Sequence, residues 1–170
     1  RPGGIVEFPI VPILPEHINV YLSDTHATLS SNRMQRCSVM NFNMSDRFSP
    51  FWAFNRDNGG NFLDKAEGTG IGARFAVKAH SDSEATSLLG TARSNSRKFL
   101  RIEAVGPIAE GSNPYELVID AAVKVAAVGT FEDEDGMYMT NYELALTEDR
   151  TWGNSLTAWL RNMMTAANYQ

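Results

Sequence analysis

The residues of this chain that could carry chemistry are few and scattered. His17, His26 and His80 are dispersed, and none stands at metal-ligand spacing from another ligand. Cys37 is the only cysteine. That excludes an intrachain disulfide and a cysteine-rich metal site, and it leaves Cys37 the role of a small, partly buried hydrophobe. The cluster Gly68-Thr69-Gly70-Ile71-Gly72 lacks the lysine of a phosphate-binding loop and opens no helix, so it reads as a hairpin end. Glu132-Asp133-Glu134-Asp135 has neither the ligand spacing nor the terminal glutamate of an EF-hand loop, and reads as a solvated acidic turn. No serine stands in a nucleophile elbow. The sequence therefore predicts no catalytic residue, no metal site and no cofactor.

Charge narrows the field further. The 170 residues carry a formal net charge of −5, which disfavours a generic nucleic-acid-binding surface and tight attachment to an anionic membrane. No apolar run reaches the roughly 18 residues of a membrane span, so no membrane contact is expected of this chain. The aromatic cluster Phe51, Trp52 and Phe54 has two readings, core at a strand end or anchor of an interface.

The elements around these residues are mostly strands. From Tyr115 the odd positions read Tyr115, Leu117, Ile119, Ala121, Val123, Val125 and Ala127, the alternation of a strand with one buried face. The even positions place Glu116, Asp120 and Lys124 on the other face. A strand of this length either bends between two sheets or builds a tall wall. Asp135-Gly136 offers the positive φ of a hairpin turn. The return run then alternates Tyr138, Tyr142, Leu144 and Leu146 against Met139, Asn141, Glu143 and Ala145. Leu117, Ile119, Val123, Tyr142, Leu144 and Leu146 are expected to be buried together.

Shorter strands are predicted at 19–22, 36–48, 71–79, 100–104 and 156–162, the one at 100–104 ended by Gly106-Pro107. One helix is predicted at about 82–94. It opens on the capping-box pattern Ser81-Asp82-Ser83-Glu84, and Ala85, Leu88, Leu89 and Ala92 form its apolar stripe over a sheet. Residues 1–15, with prolines at 2, 9, 12 and 15, suit an extended arm rather than a helix or a central strand. The irregular stretch 49–72 reads as a long loop, or as one containing a short strand at Asn61 to Glu67. The expectation is a mostly β protein: an antiparallel β-sandwich or barrel spanning 16–170 as one domain, with a flanking helix.

The arm and the loop carry apolar side chains without regular structure to bury them. Phe8, Ile10, Phe51, Trp52, Phe54 and Ile71 are therefore predicted to contact other subunits.

Five stretches of this sequence resemble the major tail tube proteins of long-tailed, non-contractile bacteriophages. Ile18 to Leu22 is similar to the family's opening strand, and Phe99 to Pro107 to its strand ending in Gly-Pro. Tyr115 to Val125 resembles its long wall strand, and Asp133 to Tyr138 its acidic hairpin turn. Glu148-Asp149-Arg150-Thr151-Trp152-Gly153 resembles its closing Asp-x-Thr-Trp-Gly element. The resemblance implies a homo-oligomer of hexameric rings stacked into a hollow tube in the virion tail, assembled in the host cytoplasm. Other tail proteins would meet the tube ends, and DNA would pass through the lumen without specific binding. On that reading the polar face of the long strands, with Asp120, Lys124, Asn141 and Glu143, is expected to face the lumen and repel DNA. The alternative is a monomeric or capsid-attached β-sandwich module that binds carbohydrate or protein.

Overall fold

The computed structural model describes residues 12–45, 48–52, 62–67, 72–81 and 83–162. In chain order its strands are β1 (Ile18–Ser23), β2 (Cys37–Ser45), β3 (Phe48–Trp52), β4 (Phe62–Glu67), β5 (Gly72–His80), β6 (Arg97–Glu110), β7 (Asn113–Glu134), β8 (Met137–Leu146) and β9 (Leu156–Arg161). The helix α1 (Ser83–Ser94) joins β5 to β6, and 3-10 helices occupy Pro15–His17 and His26–Ser31. Seven strands form one curled antiparallel sheet in the order β1-β6-β7-β8-β5-β2, with β9 also paired to β7. Within the 49–72 stretch β4 matches the short strand of the second reading, and it forms a separate two-stranded ladder with β3.

The long alternation is organised around a change of partner. β7 runs 22 residues without leaving the sheet. Its first half lies between β6 and β9, and its second half pairs with β8. Bulges at Val125/Ala127 and Val128/Phe131 take up the twist that so long a strand accumulates. β8 and β9 follow one another along the same edge of β7, and Ala122 marks the junction. Its N–H donates to the carbonyl of Ser155 (2.9 Å), and its carbonyl accepts from Thr147 N–H (2.8 Å). The chain between them leaves the sheet after Leu146, opposite Val123, and rejoins it at Leu156, opposite Ala121.

The β7–β8 hairpin turn obeys the chemistry of a tight turn. Asp135 and Gly136 have φ of 52° and 81°, as a two-residue turn matched to strand twist requires. Asp133 steadies that turn by accepting from Gly136 N–H (2.8 Å). Gly136→Ala is therefore expected to cost about 1–2 kcal/mol in thermal unfolding, because an L side chain is strained at this φ. No loss on substitution would mean that the hairpin end contributes nothing to the fold.

β6 continues through Gly106-Pro107 rather than ending there. Register shifts at Val105/Ile108 and Ile108/Glu110 place Pro107 in an irregular step, where its missing N–H breaks no regular ladder.

The core lies between the sheet and α1. Phe75, Val77, Leu100, Val123, Tyr142 and Leu144 are buried there beneath Ala85 and Leu88, with Leu146 packed against the margin. Tyr142 ties sheet to helix by donating its hydroxyl to the Ala85 carbonyl (2.8 Å). Three expected core residues fall short, Leu146 at the margin and two on β7. Leu117 and Ile119 share the helix-side face by parity but are only half-buried, because they lie on the half of β7 that runs toward β9, past the core under α1. Leu89 is also half-buried, and Thr91 takes the inner face of α1 one turn after Leu88.

Candidate functional site

The face of the sheet opposite α1 divides into a covered half and an open half. A loop and a short helix cover the first. His26–Ser31 and the 147–155 loop lie over β1, β6 and the middle of β7, burying Leu29, Phe99 and Ala122 with Tyr21 and Trp152 at the margin. The loop is held by the motif singled out from the sequence. Asp149 accepts from Trp152 N–H through its carboxylate (2.5 Å) and from Gly153 N–H through its carbonyl (2.7 Å). Gly153 has φ of 77°, and Arg97 pairs with the buried Asp149 carboxylate. Trp152 is thereby laid on His26, with ring centroids 4.6 Å apart, and meets the edge of Phe99.

Asp120 belongs to this covered half, which corrects the expectation for it. It sits on the predicted face but is 6% exposed. Arg101, directly opposite on β6, donates Nε to Oδ1 (2.7 Å) and Nη2 to Oδ2 (2.8 Å), and His26 Nε2 lies 3.1 Å from Oδ2. The hydrogen bond to Asp120 raises the Arg101 pKa above its ordinary value. A carboxylate enclosed and neutralised in this way supplies no free charge to a lumen. The His–Asp–Arg group also contains no nucleophile. Its geometry fastens the His26–Ser31 helix to the sheet.

The open half is formed by β8, β5 and β2. It brings together the other three predicted residues: Lys124 and Asn141 are half-exposed and Glu143 is exposed. Pairings set beside them two cations that sequence reasoning missed, Arg74 opposite Ala145 and Lys78 opposite Asn141. Lys78 bridges Glu132 and Glu134 of the β7–β8 hairpin, 2.9 Å from the former, and these bonds raise its pKa, Glu134 first. Among the described residues this face holds Arg74, Lys78 and Lys124 against Glu132, Glu134 and Glu143. It is a mixed-charge surface, not an acidic one. Strand parity would have placed Arg74 and Lys78 here, had the β5–β8 pairing been known.

Phe8, Ile10, Phe54 and Ile71 lie outside the described residues. For Phe51 and Trp52 the structure places the backbone, in β3 beside β4. Cys37 is half-buried at the start of β2, and its thiol donates to the Val39 carbonyl (3.4 Å). Among the described residues no group of three His, Cys, Asp or Glu side chains is placed to hold a metal ion.

No family model matches the chain, and no curated protein does. Its fold is nevertheless shared with a solved structure. The SPP1 tail tube, determined by solid-state NMR and cryo-EM, superposes with a TM-score of 0.56 at 7% identity, over 94% of this chain and 84% of that one. Weaker likenesses are to the anti-feeding prophage baseplate (TM-score 0.43, 11% identity, 91% and 97% coverage) and to Hcp1 of E. coli EAEC 042 (TM-score 0.39, 13% identity, 84% and 97%). The tail-tube fold expected from the five short stretches is the fold of this chain.

Proposed function

We propose that this chain is the structural subunit of a bacteriophage tail tube. Copies join side by side into hexameric rings, and the rings stack into a hollow conduit in the virion tail through which DNA is delivered. Subunits assemble in the host cytoplasm, and other tail proteins meet the tube at its ends. The observation that carries this reading is a curled sheet with open edges in the fold of the SPP1 tail tube. β2 ends the strand order, and β9 pairs only with β7 among the described residues. Unpaired strand edges are a liability in a lone subunit, and closure into a ring removes them. The role is structural rather than enzymatic, in keeping with a sheet whose buried ionic groups are spent on holding loops in place.

On this reading the open face of β8, β5 and β2 lines the lumen. Its alternating cations and carboxylates leave little net field, so phosphates are neither captured nor strongly repelled as they pass. The screening length of about 8–10 Å at physiological salt confines the effect of each charge to the wall. Negative-stain electron microscopy of the purified protein is expected to show rings or hollow tubes, and a reconstruction to put Asn141 and Glu143 on the inner wall. Dispersed single particles at high concentration would instead favour the monomeric binding module.

A further inference from the structure

We propose that the β7–β8 hairpin is a plug that enters a groove at the far end of a second copy of this chain, with Phe131 as the inserted side chain. The inference rests on the tube reading and adds a contact between successive rings.

The hairpin is a two-sided ribbon extending past the core. On one side Glu132 and Glu134 are held by Lys78. The other side continues the helix-bearing face, since Val128 lies opposite Tyr142, Phe131 opposite Thr140, and Asp133 opposite Tyr138. That side presents Val128, Phe131 and Tyr138 to solvent at 39%, 64% and 64% exposure. The polar side is satisfied within the subunit, and the apolar side is not.

A complementary feature lies at the other end of the same strand. Ile13, Ala104, Gly106, Tyr115, Leu117 and Leu160 line a cavity of about 170 Å3, mostly apolar in character. A cavity of about 150 Å3 lined by aliphatic side chains accepts benzene, so this groove has the volume for a phenyl ring. Arg161 stands on the rim, partly exposed and 3.4 Å from Glu116. Arg161 is already paired with Glu116 and lies over the Trp159 ring (4.8 Å), so the rim is close to neutral and the fit of Phe131 is one of apolar shape and volume.

Separation excludes self-occupancy. Leu117 and Phe131 are fourteen residues apart on β7, roughly 46 Å along the strand. The plug must therefore come from another copy. Such a contact uses different surfaces on the two partners, so it joins copies head to tail, and it links successive rings when the rotation between copies does not close. One phenyl ring is far below the roughly 1,000 Å2 of a stable interface. The contact gains strength only when it repeats around a ring.

The test uses cysteine pairs in a Cys37→Ser background, which has no other thiol. Mixing Phe131→Cys with Leu160→Cys chains under mild oxidation is expected to give linked dimers. The double variant is expected to give a ladder of covalent oligomers, and neither single variant alone to link. Linkage of Phe131→Cys to itself without mixed linkage overturns the proposal, and so does the absence of any mixed linkage at high protein concentration. In parallel, Phe131→Asp is expected to reduce sedimentable tubes at least tenfold while rings and the melting temperature persist. Tubes at wild-type yield would also overturn it. A wild-type protein that makes neither rings nor tubes counts against the tube reading, and the mixed linkage then decides the plug contact by itself.

Discussion

Arg101→Met is expected to lower folding stability by about 3 kcal/mol, measured by urea denaturation at concentrations too low for assembly. The substitution keeps the aliphatic stem and removes the guanidinium that donates twice to Asp120. Removing one partner of a buried ion pair costs about 3–5 kcal/mol, because the other charge stays enclosed without compensation. The Asp120 side chain is 9% exposed and that of Arg101 is 20% exposed, which puts the cost at the lower end. His26 remains within 3.1 Å of Asp120 and offsets part of the loss.

The companion variant separates the pair from the packing around it. Arg101→Met combined with Asp120→Asn removes both charges, and replacing a whole buried pair is often close to neutral. Most of the lost stability should return, leaving a coupling energy of about 2 kcal/mol in the double-mutant cycle. If Arg101→Met alone costs under about 1 kcal/mol, the pair behaves as a solvent-screened surface bridge. The His26–Ser31 helix would then be anchored by Leu29 and the aromatic stack, not by charge.

This ionic group shows where sequence reading stopped. Asp120 was legible as a charge on the polar face of a long strand, and parity alone left it in solvent. What encloses it comes from 19 and 94 residues away, at Arg101 and His26. No local period reports contacts at those separations. The β6–β7 register would have set Arg101 against Asp120 as a cross-strand ion pair, but register is fixed by the turn at Gly111, where the sequence reading had only a strand end at Gly106-Pro107.

The legible parts were those written in local chemistry. The Asp135-Gly136 turn, the alternation of β7 and β8, and the inward placement of Ala85 and Leu88 on α1 follow from positive φ and from periods of two and 3.6. The Asp149 to Gly153 stretch stood out as a motif, and its physical reason came only with the structure. Asp149 closes the loop, Gly153 takes the left-handed conformation, and Trp152 is delivered to His26. The mixed charge of the open face was hidden for a related reason. Arg74 and Lys78 join Glu143 only through the pairing of β5 with β8, whose Gly72–His80 and Met137–Leu146 segments lie far apart in sequence.

Phe75→Ala should be the most damaging single truncation in the helix-side core, at about 3–5 kcal/mol. Phe75 is 1% exposed, stacks on Phe42 at 4.9 Å between centroids, and lies opposite Leu144 on the neighbouring strand. Its removal takes away a full aromatic side chain and leaves a cavity that a sheet flanked by β2 and β8 closes only in part. For a chain of this size the loss corresponds to a fall in Tm of roughly 6–20 °C. Arg74→Ala is the matched control, one residue away on the open face, and should stay within about 0.5 kcal/mol. The damage should also reach assembly. Phe42 is half-buried on β2, the strand that ends the sheet, and Phe75 is the ring it packs on. A loosened β2 presents a poorly ordered edge to its neighbour, so residual folded Phe75→Ala protein should assemble less well than its folded fraction alone predicts. Equal costs for Phe75→Ala and Arg74→Ala would mean that the core does not lie beneath α1. Normal assembly by the folded fraction would show that the β2 edge is not used between subunits.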